Sequence, residues 1–78
     1  MPTCYEAREQ LLGVVSRFPT NATMRYNLAC YACQLGDLPA AREWLAHAFA
    51  LDSTAVFKQG ALDDPDLTPL WTEEKLNR

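Results

Sequence analysis

Apolar residues recur along this chain at spacings of three and four, the pattern of helices that each bury one face. Ala7, Leu11, Val14, Val15 and Phe18 fall on one such face, while Arg8, Glu9, Ser16 and Arg17 fall elsewhere, so residues 3–18 are predicted to form a first helix. Thr3 stands at a capping position, and Glu6 three residues later completes a capping-box pattern. Gly13 weakens this helix slightly and marks a place for close packing. Phe18-Pro19-Thr20-Asn21 ends it, with Thr20 or Asn21 capping the next helix. That second helix is predicted from about Ala22 to Leu35, with Met24, Leu28, Tyr31, Ala32 and Leu35 on a common side. Gly36-Asp37 then reads as a tight turn in which Gly36 takes the left-handed conformation that closes a helix. Pro39 suits the first turn of a third helix, which buries Ala41, Leu45, Ala48 and Phe49 and ends near Asp52. So short a turn sets these two helices antiparallel.

Ser53 or Thr54 caps a fourth, shorter helix reaching about Leu62. Asp63-Asp64-Pro65-Asp66 interrupts it, and Asp64 before Pro65 is a suitable start for one more turn. Leu67, Leu70 and Trp71 share a side of that last piece, where they are predicted to cover an otherwise exposed apolar end. Residues from Thr72 onward are polar and are expected to fray.

The pattern also repeats. With a shift of 34 residues Ala7 recurs as Ala41, Leu11 as Leu45 and Thr20 as Thr54, while Val14 maps to Ala48, Val15 to Phe49 and Leu28 to Leu62. A fixed period of this length marks helical hairpins that stack and share a core. An ordinary helical bundle with fortuitous spacing would also show alanines and leucines at intervals of four, but would not match at Pro19 and Gly36-Asp37.

The residues themselves are then recognisable. Tyr26-Asn27-Leu28-Ala29, Leu35-Gly36-Asp37, Ala40-Ala41 and the run Leu45 to Asp52 together resemble one complete tetratricopeptide repeat, over residues 20–53. Pro19 and Asn21 resemble the family's Pro-x-Asn linker. On this likeness residues 3–18 correspond to the second helix of a preceding repeat and residues 54–71 to a truncated capping unit, within a single domain spanning 1–78. Arg25 replaces a usual aromatic and Ala32 a usual tyrosine, and Ser53 stands where a linker proline is expected. The resemblance implies an all-α fold: about four helices plus a short C-terminal turn, stacked as antiparallel hairpins in a short right-handed superhelix. Its structural positions here are Ala7, Leu11, Leu28, Ala29, Gly36, Ala41, Leu45 and Ala48.

Composition narrows the function. A chain of 78 residues is one small domain, and 49% hydrophobic residues argue against disorder. A net charge of -3 disfavours nucleic acid, which needs clustered Lys and Arg. No apolar run is long enough for membrane insertion and no secretory leader is visible. Three cysteines, an odd count, do not suggest a disulfide framework, and a cytoplasmic location is the simplest expectation.

Candidate chemistry is sparse. Cys30 and Cys33 form a Cys-x-x-Cys, but Cys30 lies more than two turns inside its helix, beyond the reach of the helix dipole that would stabilise a thiolate. Cys4, Cys30, Cys33 and His47 offer zinc-type ligands, yet cysteines at i and i+3 of a straight helix do not reproduce a zinc knuckle. His47 is expected to be solvated or packed on a ring. Asp63, Asp64 and Asp66 lack the alternation and glycine of a calcium loop and read as a helix stop with a cap. No catalytic constellation can be assembled, so no enzymatic activity, metal or cofactor is expected.

On the second helix, Thr23, Tyr26, Cys30, Cys33 and Gln34 form a second weakly polar side, about half a turn from the core face. In the family resembled, this side lines a concave groove, so these five are the candidate partner-binding residues, with Tyr26 as anchor. The alternative is that Tyr26 and both cysteines pack against the first or fourth helix. Chaperone-tail clamps of the same family carry Lys and Asn where Tyr26 and Cys30 stand here, which sets that subtype aside. The chain is expected to be an adaptor that binds a peptide or helix of another protein. Two other readings remain: a self-associating homo-oligomeric scaffold, and a thiol-redox or metal-binding protein.

Overall fold

The computed structural model describes residues 3–76, with side-chain environments for 3–72. The chain is all-helical, with no strand among the described residues. Five α-helices follow in order: α1 (Cys4–Leu12), α2 (Ala22–Gln34), α3 (Leu38–Leu51), α4 (Ala55–Asp63) and α5 (Thr68–Leu76). Single 3₁₀ turns at Val15–Arg17 and Pro65–Leu67 join α1 to α2 and α4 to α5. None of the described helices is long and apolar enough to cross a membrane.

The starts of α1, α2, α3 and α4 are each closed by a side chain. Thr3 accepts from the Glu6 amide at 3.1 Å, Asn21 from Met24 at 2.9 Å, Asp37 from Ala40 at 3.3 Å and Thr54 from Phe57 at 3.3 Å. These bonds satisfy amides that a helix N-terminus otherwise leaves without partners. They also decide between neighbours, with Asn21 capping rather than Thr20 and Thr54 rather than Ser53. Between α2 and α3, Gly36 adopts φ 84°. Its amide donates to the Cys33 carbonyl at 3.1 Å, and Asp37 donates to Ala32 at 2.9 Å. That pair of bonds is a Schellman closure, and it folds α3 back against α2.

The α2–α3 hairpin is the centre of the molecule. Leu28, Ala29 and Ala32 of α2 and Ala41 and Ala48 of α3 have no exposed surface, and Leu45 is buried beside them. Alanines at the crossing let the two backbones approach closely, so the hairpin gains its stability from dense packing rather than from large side chains. Of the other repeat positions, Ala7 and Leu11 are half-buried where α1 meets α2, and Gly36 lies at the exposed turn.

Three expectations are corrected. The first helix does not run to Phe18. It ends at Leu12 with Gly13 as its cap, and the chain re-forms as the 3₁₀ turn Val15–Arg17. Phe18 is exposed as a result, and Arg25 reaches across to hold the linker, donating to the Phe18 and Asn21 carbonyls at 2.9 and 3.0 Å. Leu35 is likewise exposed, as the C-cap of α2 next to the Gly36-Asp37 turn. Finally, the polar stretch from Thr72 is helical, with α5 continuing to Leu76.

Candidate functional site

The candidate stripe on α2 is not open to solvent. Residues 55–71 fold over it, so that Cys30 is only 8% and Cys33 only 4% exposed. Phe57 of α4 stands edge-on to Tyr26, with centroids 5.4 Å apart, and to Phe49 of α3 at 5.9 Å. Edge-to-face rings of this kind fix the α4 approach angle as well as burying area. Below them Leu67 and Leu70 are buried against Ala29, Cys30, Cys33 and Leu45. Covering the open apolar end is the role the sequence predicts for these two leucines.

The stop between α4 and α5 carries the polar part of the site. Asp64 accepts from the Asp66 amide at 2.9 Å, which caps the 3₁₀ turn. Its other oxygen accepts the Tyr26 hydroxyl at 2.6 Å. Gln34 donates to Asp66 at 2.7 Å and accepts from the Cys4 thiol at 3.5 Å. Two side chains of α2 thus grip the carboxylates of residues 64 and 66 from opposite ends.

Of the set Thr23, Tyr26, Cys30, Cys33 and Gln34, the chain's own residues 55–71 therefore cover the middle. Thr23 is exposed one turn away from the others, Tyr26 is half-buried, both cysteines are covered, and Gln34 is exposed but engaged. The alternative of packing against the fourth helix describes Tyr26, which meets Phe57 of α4. The cysteines instead lie under the 3₁₀ turn and α5.

Burial raises the Cys30 thiol from 9.0 to about 12, helped by the negative charges of Asp64 and Asp66 and by Cys33. Cys33 is also raised by burial, against a backbone hydrogen bond at Leu70 that acts the other way. The Tyr26 hydroxyl is raised too, by burial first and then by its bond to Asp64. Neither cysteine has the electropositive surroundings of a reactive thiol.

Cys4, Cys30, Cys33 and His47 do not converge. His47 is exposed on α3 with its ring edge-on to Trp44 at 5.7 Å. Among the described residues, the structure does gather Cys30 with Asp64 and Asp66, a set that runs from residue 30 to residue 66 and that no local spacing reveals. The only hint in the sequence is the pair of aspartates flanking Pro65, which also reads as a helix stop. A separate recess of about 510 Å³ opens between α1 and α2, bounded by Ala7, Leu11, Val14 and Tyr31. No protein-family model matches the chain, and no curated protein or solved structure does either.

Proposed function

We propose that the chain is a non-enzymatic protein-interaction module of the tetratricopeptide kind. In this reading α2 and α3 form its complete repeat, α1 the remnant of a preceding one and residues 54–71 a capping unit, wound as a short right-handed superhelix. Its receptive surface is the α2 stripe of Tyr26, Cys30, Cys33 and Gln34. One observation carries the reading: residues 64–70 already sit on that stripe as a peptide would, two carboxylates held by Tyr26 and Gln34 and two leucines sunk beneath them. A surface that holds Asp-Pro-Asp-Leu from its own chain has the donors and the apolar seat for the same chemistry in another. The partner is accordingly a segment that carries two acidic residues ahead of a leucine, and it binds by replacing the internal one.

Replacement has a cost. Lifting Leu67 and Leu70 into water takes about 3–6 kcal/mol, at roughly 1.5–3 kcal/mol for each buried side chain. The open form is then populated at about one part in a hundred to one in ten thousand, and apparent partner affinity falls by that factor. The test uses a labelled peptide with the sequence of residues 63–72 and fluorescence anisotropy. Truncating the internal competitor with Leu67→Ala removes about 2 kcal/mol or more of the closing energy, which tightens peptide binding about thirty-fold. Adding Gln34→Ala to that background weakens it again. A Leu67→Ala chain that keeps its helical circular dichroism yet binds no peptide refutes the proposal.

A further inference from the structure

The Pro65–Leu67 turn and its capping residue Asp64 set two carboxylates against the buried thiol of Cys30. Cys30 Sγ and one carboxylate oxygen from each of Asp64 and Asp66 all lie within 4.8 Å of one another. Tetrahedral zinc with Zn–S near 2.3 Å and Zn–O near 2.1 Å places such sulfur and oxygen ligands about 3.6 Å apart, so small side-chain rotations suffice to bring them there. Cys30 is 8% exposed, and it faces the two anionic groups Asp64 and Asp66.

The carboxylates are already oriented as ligand carboxylates are. Tyr26 donates to one oxygen of Asp64 at 2.6 Å, the Asp66 amide donates to the other at 2.9 Å, and Gln34 donates to Asp66 at 2.7 Å. Outer donors of this kind hold metal-binding carboxylates in place. All three are neutral, so they steer the oxygens without cancelling their charge. Asp66 lies at the surface and Asp64 is half-buried, which leaves an entry path from solvent.

We propose that Cys30, Asp64 and Asp66 form a binding site for a divalent cation of the zinc class, with the fourth coordination position open to water. One soft sulfur with two oxygens suits zinc better than calcium or magnesium, which take oxygen ligands alone. On binding, the S–H bond of Cys30 breaks, its electron pair forms the sulfur–metal bond, and the proton leaves to solvent, with no change in oxidation state. The cation ties the Pro65–Leu67 turn to α2 and so fastens the covering segment. This proposal stands on side-chain geometry and holds whether or not the α2 stripe receives a peptide.

Cobalt(II) titration of the reduced full-length chain under anaerobic conditions tests it. The expected result is a saturable one-to-one thiolate-to-cobalt charge-transfer band that zinc(II) displaces. Cys30→Ser abolishes the band, while Cys4→Ser and Cys33→Ser retain it. Asp66→Asn, at an exposed position that leaves the fold intact, weakens binding, and Gln34→Ala weakens it about ten-fold by loosening Asp66. The other titratable groups facing Cys30 are Tyr26 and Cys33 on α2 and the two aspartates on the turn. Absence of the band in helical wild-type chain overturns the proposal, as does a band that survives Cys30→Ser or one that Cys33→Ser removes.

Discussion

Leu67→Ala is the sharpest probe of whether residues 64–70 are a covering built into the core or a loose appendage. Leu67 has no exposed surface and lies in one cluster with Ala29, Cys30 and Cys33 of α2 and Leu70 of α5. Removing three carbons there loses their transfer energy and leaves a void that alanine-rich helices cannot easily collapse to fill, for about 2–5 kcal/mol. A chain of 78 residues has about 4–12 kcal/mol of total stability, at about 0.05–0.15 kcal/mol per residue. The substitution therefore removes between a sixth and all of it. Urea unfolding followed by far-ultraviolet circular dichroism, with linear extrapolation, measures the loss. Leu62→Ala is the matched control, since Leu62 is 55% exposed and its loss stays within about 0.5 kcal/mol. One cooperative transition with a lowered midpoint is expected for Leu67→Ala. A loss below about 1 kcal/mol, or a second transition that leaves the α2–α3 hairpin at its original midpoint, refutes the reasoning that one core spans both parts.

Two further outcomes follow from local chemistry. Because the folded chain holds the Cys30 proton more tightly than the unfolded one, the unfolded state loses it first as pH rises from about 9 toward 12. Stability is then full below pH 9 and declines by up to about 1.4 kcal/mol per pH unit above it, and Cys30→Ser flattens that alkaline decline in urea midpoints measured across the range. Gly36→Ala costs about 1–2 kcal/mol in the same assay. Nothing lies within 4 Å of the added carbon, so the cost comes from the left-handed φ of 84° alone, and Gly36→Asn recovers part of it.

The hairpin was legible because every signal in it is local. Asn21, Gly36-Asp37 and the alanines at 29, 41 and 48 each act within a turn or across one short connection, and the structure places all of them where the periodicity does. The first helix was less legible. Val14, Val15 and Phe18 continue the apolar spacing past Gly13, but the period alone cannot say whether a glycine ends a helix or merely weakens it. Here the backbone turns at Gly13 and Val15 is buried while Phe18 is not. Thr72 and beyond are polar by sequence, and what draws them into a helix is non-local: Leu70 lies in the core and Trp71 packs against it at the start of α5.

The stripe on α2 shows why a face can be identified without its occupant. Its weak polarity was visible, but what covers it depends on how far α4 carries the chain. The α3 helix folds back along α2, and α4 leaves Thr54 with Phe57 set against Tyr26 of α2. It spans nine residues, Ala55 to Asp63, which is about 13.5 Å at 1.5 Å per residue. Nine residues into α2, which begins at Ala22, lies Cys30. Pro65 then prevents α4 from continuing, because its ring cannot be accommodated in a helix interior. The acidic stop is thereby set beside Cys30, between Tyr26 and Gln34 of α2. The position of Pro65 relative to Thr54 is therefore what assembles Tyr26, Cys30, Gln34 and the two aspartates.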